Sequence, residues 1–594
     1  MHQQGGAIMA ERVYRLHLIK PSHYDDDGYV IQWRLSAIPS NSLAALHGIA
    51  AECGAQQALG PDVRLEIFAS DETNTIISTD RIAESIKSAD FGLVCLVGVQ
   101  SNQFPRALDL ARRLRGKGVQ VAIGGFHVSG CVAMLPDLPP ELKEAQALGV
   151  GLFAGEAAGR LDQVLRDAMA GALKPLYNYM NDLPPVDSAP APLLPAEIIT
   201  RTSGAVTSFD AGRGCPFQCS FCTIINVQGR KSRFRSADDV EAIIRRNYAQ
   251  GIKSFFVTDD NFARNANWEA ILDRIGDLRW KHGIWCVFFI QVDTLCHRIP
   301  GFIDKCARAG VKRVYIGLEN INPANLVEIK KKQNRIGEYR EMLLAWKRAG
   351  CLTYAGFIMG FAGDTPETIL RDVRIIQREL PLDILEFFYL TPLPGSQDHQ
   401  RLTRENVWMD PDLNKFDLEH PVTRHPLMST AQWEQAYADA WDAYYSPKHI
   451  RTIMRRAAAM KISAGATLFL ILWFYACLKL EKVHPLQGGY VRVKIRKDRR
   501  PGLPIENPLI FYPKYWGGLV AKHLRLAAIA APLGLFRLSL KLNTRKALAY
   551  MDQALTPPTP DELGELEMFT ASDSARAAAE KSRKRLEGQP ASAA

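Results

Sequence analysis

A chain of 594 residues is too long for one hydrophobic core and, at roughly 150 residues per domain, divides into about three or four units. Its 47% hydrophobic content excludes a disordered protein. Eleven cysteines, only three of them close together, exclude a disulfide framework and favour a reducing compartment, with the cytoplasm as the default. The net charge of +10 is uneven, because residues 446–550 hold 20 Lys and Arg against three acids, a local +17, while the rest of the chain is net acidic.

The opening MHQQGGAIMAERVYRLHLIK has no basic stretch followed by an apolar core and a cleavage site, so secretion is not expected. Residues 13–180 alternate strand-like runs (VYRLHLI, VRLEIFA, FGLVCLVGV, VQVAIGG) with amphipathic helical ones (SLAALHGIAAECG, TDRIAESIKSA, FPRALDLARRLRGKG, LDQVLRDAMAG). That alternation predicts an α/β, doubly wound, Rossmann-like parallel sheet. Such sheets bind ligands at strand C-terminal ends, which singles out the loops KPSHYDDDG, VGVQSN and GGFHVSG. Residues 181–198, rich in proline, read as a linker.

Alternation resumes over 199–400 with VTSFDAG, SFFVTDD, IWCVFFIQVD, VKRVYIGLEN, LTYAGFIMGF and DILEFFYLTPL, six units that predict a partial (β/α)6 barrel. In barrels the chemistry sits at strand C-termini, where the cysteines, Asp259-Asp260-Asn261, Glu319 and GFAGDT all fall. Residues 401–560 read as a basic, mainly helical region, and 561–594 as a disordered tail of small and charged residues.

The segment AGRGCPFQCSFCT holds Cys215, Cys219 and Cys222. A structural zinc site closes a tetrahedron with four ligands, usually in two pairs, and no second C-x-x-C or H-x-x-x-H follows this run. A four-iron cluster can instead be held by three thiolates, leaving one iron open to an outside ligand.

RGCPFQCSFC (213–222), TDDNF (258–262), IGLEN (316–320), GFIMGFAGDT (356–365) and TPLPGS (391–396), with GGFH (124–127) and GE (155–156) upstream, resemble the radical S-adenosylmethionine enzymes with an N-terminal cobalamin-binding domain; the likeness spans about residues 13–400. The resemblance implies a 4Fe-4S cluster on Cys215, Cys219 and Cys222 whose fourth iron chelates S-adenosylmethionine. An electron from a low-potential donor such as flavodoxin or ferredoxin then cleaves the sulfonium to a 5′-deoxyadenosyl radical. It further implies polar contacts to S-adenosylmethionine from Asp260, Asn261 and Glu319, and backbone approach to its adenine at Gly356 and Gly360. The bland alternatives are a salt bridge for Glu319 and tight turns for the glycines.

No Asp-x-His-x-x-Gly run occurs in residues 1–180, so a corrinoid would be held without that histidine. Gly124 and Gly125 would admit its nucleotide tail, and Ser101 and Asn102 would line the same crevice. His127 is read either as a contact there or as a hydrogen-bonded loop histidine. Methylation of an unactivated carbon in a hydrophobic, lipid- or isoprenoid-like small molecule is the leading reaction. Oxidative cyclisation, as in the anaerobic porphyrin cyclases, is the alternative, and a non-catalytic corrinoid or iron–sulfur carrier the distant one.

The basic region allows a nucleic-acid reading, but lipid is the expected partner because the same region is apolar. Residues 462–478 are 17 mostly apolar positions between Lys461 and Lys479, at the lower limit for crossing a bilayer of ~30 Å. Residues 523–542 form a second apolar run carrying Arg525 and Arg537. Interfacial helices on an anionic membrane, with YVRVKIRKDRR (490–500) supplying cations, are the simpler reading, which would make the protein peripheral on the inner membrane face. The alternative is that both runs pack as a core or a lid over the barrel.

Overall fold

The computed structural model describes residues 11–187, 189–559 and 566–587. Residues 1–10, part of the opening read above for a secretion signal, lie outside the described residues, as do 561–565 and 588–594 of the expected tail.

The N-terminal region contains β1 (Arg12–Lys20), β2 (Gln32–Ser36), β3 (Val63–Asp71), β4 (Phe91–Leu96), β5 (Val121–Gly124), β6 (Gly151–Ala154) and β7 (Leu176–Asn178). All but β2 form one parallel sheet in the order β3-β1-β4-β5-β6-β7. Alternate side chains of its strands feed two apolar clusters, one around Leu96, Leu110 and Ile123 and one around Leu16, Leu43 and Leu165. Burial of both faces is why these strands read as near-continuous apolar runs. The order reverses between β1 and β4, where doubly wound sheets open a crevice.

The second sheet is also parallel: β8 (Val206–Phe209), β11 (Ser254–Val257), β12 (Val287–Val292), β13 (Val311–Glu319), β14 (Leu352–Met359) and β15 (Ile384–Tyr389), paired in sequential order. Among the described residues β8 and β15 do not pair, so this is an open six-stranded barrel. A short antiparallel ribbon, β9 (Gly212–Arg213) with β10 (Arg233–Phe234), brackets the cysteine loop.

The two regions meet at the barrel mouth. A Cβ added to Gly130, in the helix Phe126–Met134, would lie 2.5 Å from the carbonyl oxygen of Pro394 and 2.8 Å from Cα of Gly395. Only two glycines allow this approach of the TPLPGS segment to the N-terminal helix.

The C-terminal region departs from expectation in three ways. The run at 490–500 does not offer a free row of cations. Its first residues form β16 (Gly489–Val493), which pairs antiparallel with β2. Arg492 is buried and bonds Asp25 at 2.8 Å, Lys494 reaches Asp25 and Asp27, and Arg500 grips Asp412. Asp498 completes a buried cluster with Arg106 and Glu72, at 2.7 and 2.6 Å from the guanidinium. These pairs join the C-terminal region to the N-terminal one, although Arg492 is held through Nη2 alone, its Nε and Nη1 having no partner.

The apolar run at 462–478 likewise packs one side on the barrel and leaves Phe469 about half exposed. The helix Ala464–Tyr475, continued by a π-helical turn over Ala476–Glu481, buries Leu468, Leu470, Ile471 and Phe474 against the barrel. Its sequence is apolar all round, the pattern of an enclosed helix. The third departure is the tail, read as disordered. Glu567–Thr570 and Asp573–Glu587 are helical, Met568 and Phe569 are buried, and the backbone N–H groups of Glu567 and Met568 donate to the Glu379 carboxylate.

Candidate active site at the mouth of the barrel

The cysteine loop leaves the C-terminal end of β8 and is held mainly by its backbone; of its thiols, Cys219 Sγ accepts from the Gln333 side-chain amide at 3.5 Å. Ala211 N–H donates to Asp259 Oδ1 at 2.7 Å and Gly214 N–H to Asp260 Oδ2 at 3.1 Å. Ser220 N–H donates to the Ile329 carbonyl, its hydroxyl to Asp398, and Cys222 N–H to the Cys219 carbonyl. At the base of the loop Arg213 is clamped between Asp210 at 3.0 Å and Glu156 at 2.5 Å, and Glu156 also pairs with Arg233. Glu156 belongs to the N-terminal sheet region, so the GE pair ties that region to the cluster loop.

None of the three cysteines is in a disulfide. Burial pushes the Cys215 thiol up to about 11 and the Cys222 thiol up to about 12. Enclosed thiols of this kind become ligands only beside a bound cation, which stabilises the thiolate. Three such donors on one short loop fit an iron–sulfur cluster with one open iron.

Lys331 lies behind the loop, fully enclosed. Burial works against its charge, but the adjacent Glu319 carboxylate and the thiols of Cys219 and Cys222 more than offset it and hold its pKa above the ordinary value. Glu319 has φ of +61° at the end of β13, where the register with β14 shifts. A non-glycine residue there costs about 1–3 kcal/mol and persists only where its surroundings fix it. Here the Lys331 pair does so, and the carboxylate faces the cavity described below.

The other sequence-singled residues fall into two groups. Asp260 and Asn261 serve the scaffold: Asp260 accepts from Gly214, and Asn261 donates its amide N–H to Asp293, which also binds Arg264. Burial, reinforced by Asp259, pushes Asp260 up to about 7. Gly356 makes room for a tyrosine, since a Cβ there would lie 2.4 Å from Tyr315 Oη, and Gly360 makes room for Trp433 at 2.0 Å. The space at both glycines is thus filled by side chains of this chain.

In the N-terminal region Gly124 abuts Phe153, and Gly125 lies against Val99. Ser101 and Asn102 are buried in a single helical turn. His127 is fully enclosed: Nδ1 meets Ser101 Oγ at 3.1 Å, Nε2 meets Glu141 at 3.2 Å, and the ring packs on Phe104. Both nitrogens are partnered, so this histidine faces no open crevice.

Beside Cys222 and Glu319 lies a cavity of about 670 Å³. Phenylalanines of the barrel, including Phe256, Phe289 and Phe388, form its floor, while Phe469 and Trp473 of the helix Ala464–Tyr475 form its roof. The segment Ala37–Pro39 contributes from the N-terminal side. Besides Glu319, a second acid and Arg313 interrupt this apolar lining. Glu386 on β15 is buried, its Oε2 has no hydrogen-bond partner, and burial pushes its pKa up to about 8.

Sequence reasoning missed Glu386, Lys331 and the aromatic roof. Glu386 left a signal, a lone acid inside the apolar strand ILEFFY. Lys331 left none, being the middle of three consecutive lysines.

The open parallel barrel, the three-cysteine loop at the end of its first strand and the cavity beside it are the features expected of a radical S-adenosylmethionine domain. Residues 211–376 match the family model of the radical SAM superfamily. The chain is 27% identical over 399 residues to the bacteriochlorophyllide d C-8(2)-methyltransferase of Chlorobaculum tepidum, covering 62% of this chain and 83% of that one. It is 25% identical over 365 residues to the hopanoid C-2 methylase of Rhodopseudomonas palustris, covering 60% and 66%. The fold is that of the radical S-adenosylmethionine methyltransferase TsrM from Kitasatospora setae, solved with cobalamin and a 4Fe-4S cluster bound (TM-score 0.51, 14% identity, 76% of this chain and 95% of that one).

Proposed function

We propose that this enzyme methylates an unactivated carbon of a small hydrophobic molecule held in the cavity. The observation that carries the reading is the position of that cavity, bounded at once by Cys222 of the cluster loop and by an aromatic roof and floor. The likeness to methyltransferases of a chlorophyllide and a hopanoid supports both the reaction and the hydrophobic substrate class.

Cys215, Cys219 and Cys222 would hold the cluster, and Glu319, paired with Lys331 at the cavity wall, would meet S-adenosylmethionine. When bound, the cluster with S-adenosylmethionine supplies hydrogen abstraction from carbon, and cobalamin supplies the methyl group. The N-terminal region would hold the corrinoid without a histidine nitrogen, because His127 is enclosed and doubly partnered. A low-potential reductant of the flavodoxin or ferredoxin type is the expected electron source.

The chain's own residues have three tasks. The phenylalanine floor and the Phe469–Trp473 roof exclude water and take apolar surface, at about 25 cal/mol per Å² removed from solvent. Glu386, with no internal partner, favours a substrate bearing a hydrogen-bond donor, and in its neutral form can itself donate. Glu319 and Lys331 hold a fixed pair of charges beside the reacting end of the cavity.

The test is anaerobic incubation with methyl-labelled S-adenosylmethionine, a reductant, cobalamin and a lipid extract. Label in a hydrophobic product is the expected result. Deoxyadenosine with an unlabelled, altered product would replace methylation by the cyclisation reading.

A further inference from the structure

The helix Pro508–Leu542 runs for 35 residues with only Phe511 and Leu533 buried. Leu509, Trp516, Val520, Leu524, Leu535 and Leu542 stand between 58% and 83% exposed. At about 100° per residue these six fall within an arc of about 100°, and Phe511 and Leu533 point the opposite way. The exposed face is thus a continuous apolar stripe, and the buried face holds the helix to the body.

Charge marks the occupant of that stripe. Residues 507–550 contain seven Lys and Arg and no acid. Lys522 turns inward to Glu481 at 2.7 Å. Lys514, Arg525, Arg537 and Lys541 form no ion pair among the described residues, and in helical projection they lie to either side of the stripe. An apolar stripe flanked by cations suits the boundary between acyl chains and anionic headgroups. A second copy of this chain is a poor occupant, since it would set these cations against their own kind with no acid between them.

Spanning is excluded by the anchors. At one end Phe511 packs on Tyr29 and Tyr515 donates to the Arg492 carbonyl; near the other, Phe536 lies under Arg455. Both ends therefore rest on the same body, which a helix crossing a bilayer cannot do.

We propose that Pro508–Leu542 is an interfacial helix that docks the enzyme on one leaflet of an anionic bilayer. The helix Ala464–Tyr475 that roofs the cavity also packs against it, so the docked surface and the cavity are one helix apart. A hydrophobic substrate dissolved in that leaflet reaches the roof without crossing bulk water.

The test is cosedimentation of the full chain with phosphatidylcholine vesicles, with or without phosphatidylglycerol as minor component. Wild type is expected to bind the phosphatidylglycerol vesicles and to release in high salt. L524E/L535E should lose binding to both. R525Q/K541Q should bind phosphatidylglycerol vesicles about 30-fold more weakly, at roughly fivefold per cation removed, with little change on phosphatidylcholine alone. Circular dichroism and deoxyadenosine formation check that the variants fold. Failure of wild type to bind either vesicle, or undiminished binding by L524E/L535E, overturns the proposal. Binding that resists salt and carbonate would show a spanning helix, and a wild-type dimer dissolved by L524E/L535E without vesicle binding would show a protein occupant; either result also overturns it. Vesicle binding needs neither cluster nor substrate, so it stands or falls separately from the methylation reading.

Discussion

Replacing Glu386 by Gln tests whether the cavity is a dry, apolar chamber. Burial raises this carboxyl from the ordinary 4.5 to about 8. The folded state therefore binds a proton over that interval that the unfolded chain releases, and stability falls as pH rises through it. Below about pH 4.5 both states are protonated and no penalty exists. At about 1.4 kcal/mol per unit the penalty reaches on the order of 3 kcal/mol at pH 7 and about 5 kcal/mol above pH 8. Gln is neutral and nearly the same shape, so E386Q removes this pH-dependent cost. Urea unfolding followed by tryptophan fluorescence at pH 5, 7 and 8.5 should show the variant gaining on wild type with each step. A cavity of about 670 Å³ could hold roughly 20 waters at ~30 Å³ each, and a hydrated Glu386 would ionise normally. Parallel wild-type and variant midpoints across the three pH values would mean that the chamber is wet, and the role assigned to its aromatic lining would fail.

Ala at Cys215, Cys219 or Cys222 should each remove the iron–sulfur absorbance and deoxyadenosine formation, whereas Ser at the half-buried Cys53 should leave both in place, as read by anaerobic reconstitution. Lys331→Met leaves Glu319 enclosed without its partner and should cost roughly 3–5 kcal/mol in urea unfolding; K331M/E319Q should regain much of that stability but not S-adenosylmethionine affinity, measured by equilibrium dialysis. Gly360→Ala forces a Cβ against Trp433 at a φ of +100°, and should lower thermal stability by several degrees while Gly363→Ala, which meets no atom within 4 Å, does not.

Local periodicity made both parallel sheets legible, because each long strand buried on both faces is a run of apolar residues. The short strands β6 and β7, of four and three residues, are below the length at which a period shows, and β2 gave no such run either. The cysteine loop was legible because its chemistry depends on spacing within eight residues. Lys331, Glu386 and Phe469 were not, because each joins the site from a different element. The ion pairs Arg492–Asp25 and Arg106–Asp498 join residues hundreds of positions apart, and a basic run looks solvated until its partners are in place. The glycines are legible only in part: a glycine signals close approach, but the sequence does not say of what, and an added Cβ would here meet Tyr315 at Gly356 and Trp433 at Gly360.

The two apolar stretches of the C-terminal region have similar mean hydropathy, 1.5 over Ala464–Glu481 and 1.4 over an 18-residue window of Pro508–Leu542, yet different placement. Charge pattern separates them. Residues 464–478 carry no charged side chain, so no orientation keeps a polar face in water, and enclosure between the barrel and a second helix is the stable solution. Pro508–Leu542 carries Lys514, Lys522, Arg525, Arg537 and Lys541, which leave a polar flank on either side of its stripe. The enclosed helix is then fastened to the outer one near both ends, by Arg537 packed over Gly465 and by Lys522 on Glu481. A roof held in this way is coupled to the outer helix, so displacement of that helix is expected to act on Phe469 and Trp473. Substrate entry and the state of the outer helix are therefore one mechanical problem.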